Sequence, residues 1–214
     1  MLATRLAMQA AQVLADLPQH VHPGWIGALE VDRSLLSAGG AGLLNRALQT
    51  RFDLCWPDLS AATEALQMAW LLPPAQLRRV CAARVLYSMR GALARTVDAA
   101  LRRSARLLIG SDSFEALVGL AERRRVESPT LPAGSDRVVL AGWALIERQL
   151  CWGDDRLRRL TVLALPPHAP HAATAAPQEQ NPAREHAEFA AAVNQLFPEH
   201  QWLFGSKPAT LKSA

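Results

Sequence analysis

The feature that most constrains the fold of this chain is a series of apolar stripes with helical spacing, separated by Pro and Gly residues. The first stripe consists of Leu2, Leu6, Ala10, Val13 and Leu17. Because an α-helix turns once every 3.6 residues, this spacing places the apolar side chains on one helix face. Ala and Leu lead the aliphatic content, whereas the strand-favouring residues Tyr, Phe and Thr are few. The chain is therefore predicted to be all-α.

Two stretches predict the main helices of the core. One begins after Pro73-Pro74 and continues to Ile109, and an unbroken helix of that length would span roughly 50 Å, with Gly91 as the point where it would kink or split. The other starts at Ser135 and is apolar nearly all round, which predicts a central helix. Residues 160–165 fit either a last helical turn or a short strand.

The chain is predicted to form a compact single-domain bundle of about six or seven helices, with a linker before a C-terminal helix. The core domain is assigned to residues 1–165. Residues 166–182 contain five prolines, separated mainly by Ala, Gln and His, a composition typical of an extended linker. Residues 183–214 would form the C-terminal helix and tail, with Asn181-Pro182 as its cap.

The cysteines and the apolar runs indicate a cytoplasmic protein. Cys55, Cys81 and Cys151 lie far apart among apolar neighbours and form no CxxC pair, which predicts reduced, buried thiols rather than disulfides or a zinc site. The longest apolar run, residues 138–146, is less than half a membrane span. Charged residues also interrupt the amino-terminal apolar stretch, where a signal peptide needs a continuous apolar core.

No motif predicts catalysis, a cofactor or a metal. The Gly-rich residues 39–42 lack the Lys-Ser/Thr of a phosphate loop, and Ser111-Asp112-Ser113 lacks the glycines of a nucleophile elbow. Asp112 with Glu115 is instead predicted to form a capping box, and Asp154-Asp155 to begin a helix. Two histidine pairs have no acidic or Cys companion nearby, as a metal site would require; they are His20 with His22 and His168 with His171.

The charge distribution is more informative. Residues 78–125 hold eleven Arg against four acidic residues. These arginines form either a solvated face, with some of the cations at helix C-termini, or an electropositive surface that binds an acidic protein. The candidate partner-binding residues are Arg102, Arg103, Arg106, Arg123, Arg124 and Arg125.

Several short segments, taken in order, resemble the YscK/SctK family of the type III secretion sorting platform. They include residues 21–26 (VHPGWI), 44–48 (LNRAL) followed by 52–54 (FDL), and 193–198 (VNQLFP). The resemblance extends over about residues 20 to 204, and the Pro/Ala linker is longer than in the family pattern. It implies a non-enzymatic cytoplasmic adaptor between the forkhead-associated domain of the inner-membrane ring protein and the YscQ/SctQ-type pod protein. The family offers no catalytic residues.

Two other functions remain as alternatives. A nucleic-acid-binding regulator would use the Arg-rich helices, although no helix-turn-helix pattern is present and nucleic-acid binding is not expected. A secretion chaperone is the other, but such chaperones are usually small and acidic, whereas this chain has a net charge of +4. Membrane association is expected only through partner proteins, at the cytoplasmic face of the inner membrane.

Overall fold

The computed structural model describes residues 2–27, 40–121, 131–167 and 181–205, and the predicted all-α class is confirmed, since no strand occurs among these residues. They form twelve α-helices rather than about six or seven, because several predicted helices are divided into short ones. In chain order these are α1 (Leu2–Ala15), α2 (Leu17–His20), α3 (Pro23–Gly27), α4 (Gly40–Phe52), α5 (Pro74–Ser88), α6 (Arg90–Arg95), α7 (Ala99–Ile109), α8 (Ser111–Gly119), α9 (Ser135–Glu147), α10 (Asp155–Leu163), α11 (Pro182–Leu196) and α12 (Gln201–Phe204).

The helices group into two compact units. Unit 1 comprises the described residues up to Leu77 together with Cys151–Pro167. Unit 2 comprises the described residues of Arg78–Leu150 and those from 181 to Gly205. Residues 168–180 of the predicted linker lie outside the described residues, and the predicted boundaries at 165 and 182 stay predictions.

In unit 1, Asn45 of α4 joins the end of α1 to the start of α2. Its side-chain amide donates to the Leu14 carbonyl (3.1 Å) and accepts from the Leu17 N–H (3.0 Å). These backbone groups have no partner within their own helices, because helix ends leave such groups unsatisfied. A side chain that can both donate and accept is therefore required at position 45 of the LNRAL segment.

Between α4 and α5 the chain forms two 3-10 segments, Leu59–Ala61 and Ala65–Leu71. The buried Gln67 side chain accepts hydrogen bonds from the N–H groups of Thr63 (2.6 Å) and Glu64 (2.9 Å), and it donates to the Cys151 carbonyl (2.6 Å). Gln67 thus provides a hydrogen-bond acceptor for the backbone N–H groups in the turn between the two segments. This long-range partner was not readable from the sequence.

The prediction for residues 154 and 155 is confirmed, since Asp154 caps α10 by accepting from the Arg156 N–H (2.9 Å). The ambiguity at residues 160–165 is resolved in favour of helix, which continues to Leu163. Trp25 also lies against this end of unit 1, where its indole N–H donates to the Leu165 carbonyl (2.9 Å).

In unit 2, the long helix is divided into α5, α6 and α7. The breaks lie at Met89 and at residues 96–98, whereas Gly91 lies within α6. Asp98 accepts hydrogen bonds from the N–H groups of Ala100 (2.8 Å) and Leu101 (3.1 Å), so it starts a new helix. Val97 has helical i, i+4 spacing with Leu93 and Leu101, but it lies in the break and is 97% exposed.

The prediction that α9 belongs to the core is confirmed. Trp143 is 1% exposed, and the apolar residues around it are buried as well. At Gly142 the backbone approaches α5 so closely that a Cβ atom would lie 1.8 Å from the Cys81 carbonyl oxygen. Glycine is therefore the residue that lets these two helices pack.

Two local predictions are wrong. Of the three thiols, only Cys81 is buried, and burial raises its pKa to about 12, whereas Cys55 and Cys151 are exposed. Asp112 and Glu115 do not form a capping box, because α8 begins directly after Gly110 and has no side-chain cap. Glu115 pairs instead with Arg106 of α7 (2.7 Å).

Within the described ranges, no helix is both long enough and apolar enough to cross a lipid bilayer.

Candidate protein-docking surfaces

Several arginines of residues 78–125, which we call the Arg-rich region, form contacts inside unit 2. Arg78 pairs with Asp136 at the start of α9. Arg79 donates twice to the Ile109 carbonyl (3.0 and 2.8 Å), which satisfies the C-terminus of α7. Arg84 is fully buried over the ring of Phe189, 5.6 Å from its centroid. These three cations therefore stabilise the fold and are not part of an open basic surface.

Arg90 connects helix α11 to the rest of unit 2. Its guanidinium pairs with Glu185 (3.3 Å) and Glu188 (3.1 Å), and it lies 4.0 Å from the ring centroid of Tyr87. The hydrogen bond from Arg184 is the main cause that lowers the pKa of Glu188, with a further contribution from Arg90. Because Arg90 is largely buried, its pairing with two carboxylates offsets the cost of removing its charge from water.

The predicted partner-binding residues of α7 have different surroundings. Arg102 and Arg106 lie over the ring of Phe114 in α8, at 5.6 and 5.1 Å from its centroid. Arg106 also pairs with Glu115. Both side chains therefore lie against α8, although each keeps part of its surface in water.

Arg103 is exposed, and it makes no hydrogen bond or ion pair with any residue that the structure describes. Its neighbours on the outer face of α7 are Ala100, Ser104 and Leu107, and all three are exposed. Leu107 is 83% exposed, and Val97 lies just before the helix. We call these five residues (Val97, Ala100, Arg103, Ser104 and Leu107) the α7 surface.

The other candidate arginines, Arg123, Arg124 and Arg125, lie outside the described residues. The role of all six candidates in partner binding stays a prediction.

Unit 1 presents a second exposed surface, which sequence reasoning missed. Trp56 lies in an irregular segment between α4 and the 3-10 segment at Leu59–Ala61, and it is 51% exposed. We call residues 53–58 the Trp56 loop. An exposed Trp is a frequent centre of binding energy in protein interfaces, because its large apolar ring loses little conformational entropy on binding.

Hydrogen bonds from the start of α10 hold the Trp56 loop in place. Arg156 donates to the Trp56 carbonyl (2.9 Å) and to the Cys55 sulfur (3.0 Å). Asp154 accepts from the Asp58 N–H (2.7 Å), and Arg159 pairs with Asp53 (3.2 Å). The loop is thus fixed on both sides of the exposed indole.

The Arg156–Asp154 ion pair beside the Trp56 loop is ionised. Burial raises the pKa of Asp154, but the hydrogen bonds from the Arg156 side chain and from the Asp58 N–H outweigh burial and hold the pKa below its usual value. The pKa of Arg156 is raised, chiefly by its hydrogen bond to Asp154. The Arg156–Asp154 pair therefore persists at neutral pH.

The histidines near the amino terminus contact the backbone. His22 accepts from the Gly24 N–H (3.1 Å), and a ring nitrogen of His20 lies 3.1 Å from the Asp16 carbonyl oxygen. In the part of the chain that the structure describes, no group of three or more His, Cys, Asp or Glu side chains is placed to hold a metal ion. The exposed groups described above are suited to protein contacts.

Comparison with protein families gives a match over most of the chain. The model of the HrpB4 family, described as a bacterial type III secretion protein, matches residues 2–199. Searches of curated proteins and of solved structures gave no significant match. Since the match extends over most of the sequence, the chain belongs to the HrpB4 family of bacterial type III secretion proteins.

Proposed function

We propose that this type III secretion protein is a non-enzymatic adaptor of the sorting platform, with the role of the YscK/SctK-type component. It links the forkhead-associated cytoplasmic domain of the inner-membrane ring protein to the YscQ/SctQ-type pod protein. It acts in the cytoplasm, at the inner face of the membrane, and reaches the membrane only through these partners. The observation that carries the proposal is the presence of two exposed, locally ordered surfaces, one on each unit.

The α7 surface supports an electrostatic contact. Arg103 is exposed between apolar and small residues, and α7 carries three Arg and no acidic residue. Such a surface attracts an acidic partner and accelerates association. Arg102 and Arg106 add positive charge beside it, and Arg123, Arg124 and Arg125 remain candidates for partner binding.

The Trp56 loop supports a contact of another kind. The two arginines that hold it are already paired, Arg156 with Asp154 and Arg159 with Asp53. The binding energy there comes from burial of the indole, and because hydrogen bonds already fix the loop, little ordering entropy is lost on binding. Binding at this surface should depend little on salt.

The test is to measure the affinity of the purified chain for the ring domain and for the pod protein by surface plasmon resonance. We expect Arg103→Glu to weaken binding to one partner about tenfold, mainly through slower association, and added salt to weaken wild-type binding to that partner. Trp56→Ala should weaken binding to the other partner by at least about tenfold. Arg46→Glu, on an exposed position of α4, makes the same charge change elsewhere and should bind like the wild type.

Two results would contradict the proposal. Binding of the folded wild-type chain to neither protein would remove the adaptor function. Steeply salt-dependent binding to duplex DNA in place of both proteins would favour the nucleic-acid alternative.

A further inference from the structure

The outer face of α7 has the geometry of a helix-packing surface. Ala100, Arg103, Ser104 and Leu107 follow the spacing i, i+3, i+4 and i+7, so they lie within about 100° of arc on the helix. The opposite face, with Ala105 and Ile109, is buried within unit 2. The helix is therefore apolar on its inner side and presents a second ordered stripe to solvent.

The shape of this stripe favours a helix as its occupant. Ala100 and Ser104 are small, so the backbone of another helix can approach the middle of α7 closely. Leu107 is large and 83% exposed, and it can enter the gap between two turns of such a helix. An extended strand would instead need free backbone hydrogen-bonding groups, which the middle of a helix does not offer.

The charge of the stripe requires an acidic occupant. Arg103 lies in the middle of the stripe and makes no ion pair with a described residue. Covering it with a purely apolar helix would leave a desolvated guanidinium without a counter-charge, which is unfavourable. A carboxylate one turn from an apolar residue on the occupant would pair with Arg103 while Leu107 is buried.

We infer that the α7 surface binds an acidic amphipathic α-helix of the partner protein, with a carboxylate against Arg103 and an aliphatic residue against Leu107. The inference rests on the proposed function, because the helix belongs to whichever of the ring domain and the pod protein docks on unit 2. To the proposed function it adds the kind of structural element, an acidic amphipathic helix, that the α7 surface binds.

The test combines cross-linking with charge exchange. The photoreactive residue p-benzoylphenylalanine is placed at Leu107 in the full-length chain, and cross-linked peptides from the ring domain and the pod protein are mapped by mass spectrometry. We expect cross-links to one helical segment that contains Glu or Asp. Arg103→Glu should weaken that complex about tenfold, and replacing the contacted carboxylate by Arg should restore most of the affinity.

The controls separate this inference from the proposed function. Leu107→Asp should weaken binding, whereas Leu43→Asp, at another exposed leucine, should not. If the wild-type chain binds its partner but Arg103→Glu and Leu107→Asp bind equally well, the helix site is wrong and the adaptor function stands. Cross-links to a strand, or to a helix without acidic residues, also overturn the inference. Binding of the wild-type chain to neither protein overturns both.

Discussion

Replacement of Gly142 by alanine is expected to lower the free energy of unfolding of unit 2 by about 3 kcal/mol. The added Cβ atom would lie 1.8 Å from the carbonyl oxygen of Cys81 and 2.5 Å from its carbonyl carbon. Both atoms belong to the backbone of α5, so no flexible side chain can move aside. Helices α5 and α9 would have to separate, and the contacts around them would be lost.

Urea denaturation followed by circular dichroism measures this effect. Gly42→Ala is the matched control, because Gly42 lies in α4 and a Cβ atom there meets nothing within 4 Å. It should be neutral or stabilising by up to about 1 kcal/mol, since alanine favours helix over glycine. If Gly142→Ala were as stable as the wild type, α5 and α9 would not pack as described.

Trp143→Ala is expected to reduce the free energy of unfolding by about 3–5 kcal/mol. The Trp143 side chain is 1% exposed within the most apolar helix of unit 2, so its removal leaves a cavity and loses the burial of a large ring. The same denaturation experiment measures the change.

Trp56→Ala provides the comparison for Trp143→Ala. It removes the same side chain from a position that is half exposed, and it should cost less than about 1 kcal/mol. This result would also show that the loss of binding expected for Trp56→Ala does not arise from unfolding. A loss below about 1 kcal/mol for Trp143→Ala would mean that α9 is not a core helix.

Apolar spacing was sufficient to predict the all-α class and several buried helix faces, but not the number of helices. It failed at residues 96–98, because Leu93, Val97 and Leu101 keep the i, i+4 spacing of a continuous helix across the break. The break depends on the Asp98 side chain, which accepts from the N–H groups of the next turn and starts α7. A side chain that caps a new helix competes with continuation of the preceding one. The apolar spacing is the same in both cases, so it does not predict the break.

The arginines show a second limit of sequence reasoning. Arg78, Arg90 and Arg103 lie in the same Arg-rich region, yet among the described residues only the first two have carboxylate partners, which are 58 and 95 or more residues away. The Trp56 loop is similar, because the side chains that fix it follow Trp56 by about one hundred residues. Which charges are structural, and which aromatic ring is exposed, depends on pairings between distant segments.

The most direct test of the adaptor function is whether both partners bind at the same time. The wild-type chain, the ring domain and the pod protein are mixed and analysed by sedimentation velocity, with each pair as a reference. We predict a three-protein complex that forms only when the chain is present, and that Arg103→Glu and Trp56→Ala each release a different partner. Competition of the ring domain and the pod protein for one surface, or loss of the same partner with both variants, would contradict the two-surface adaptor.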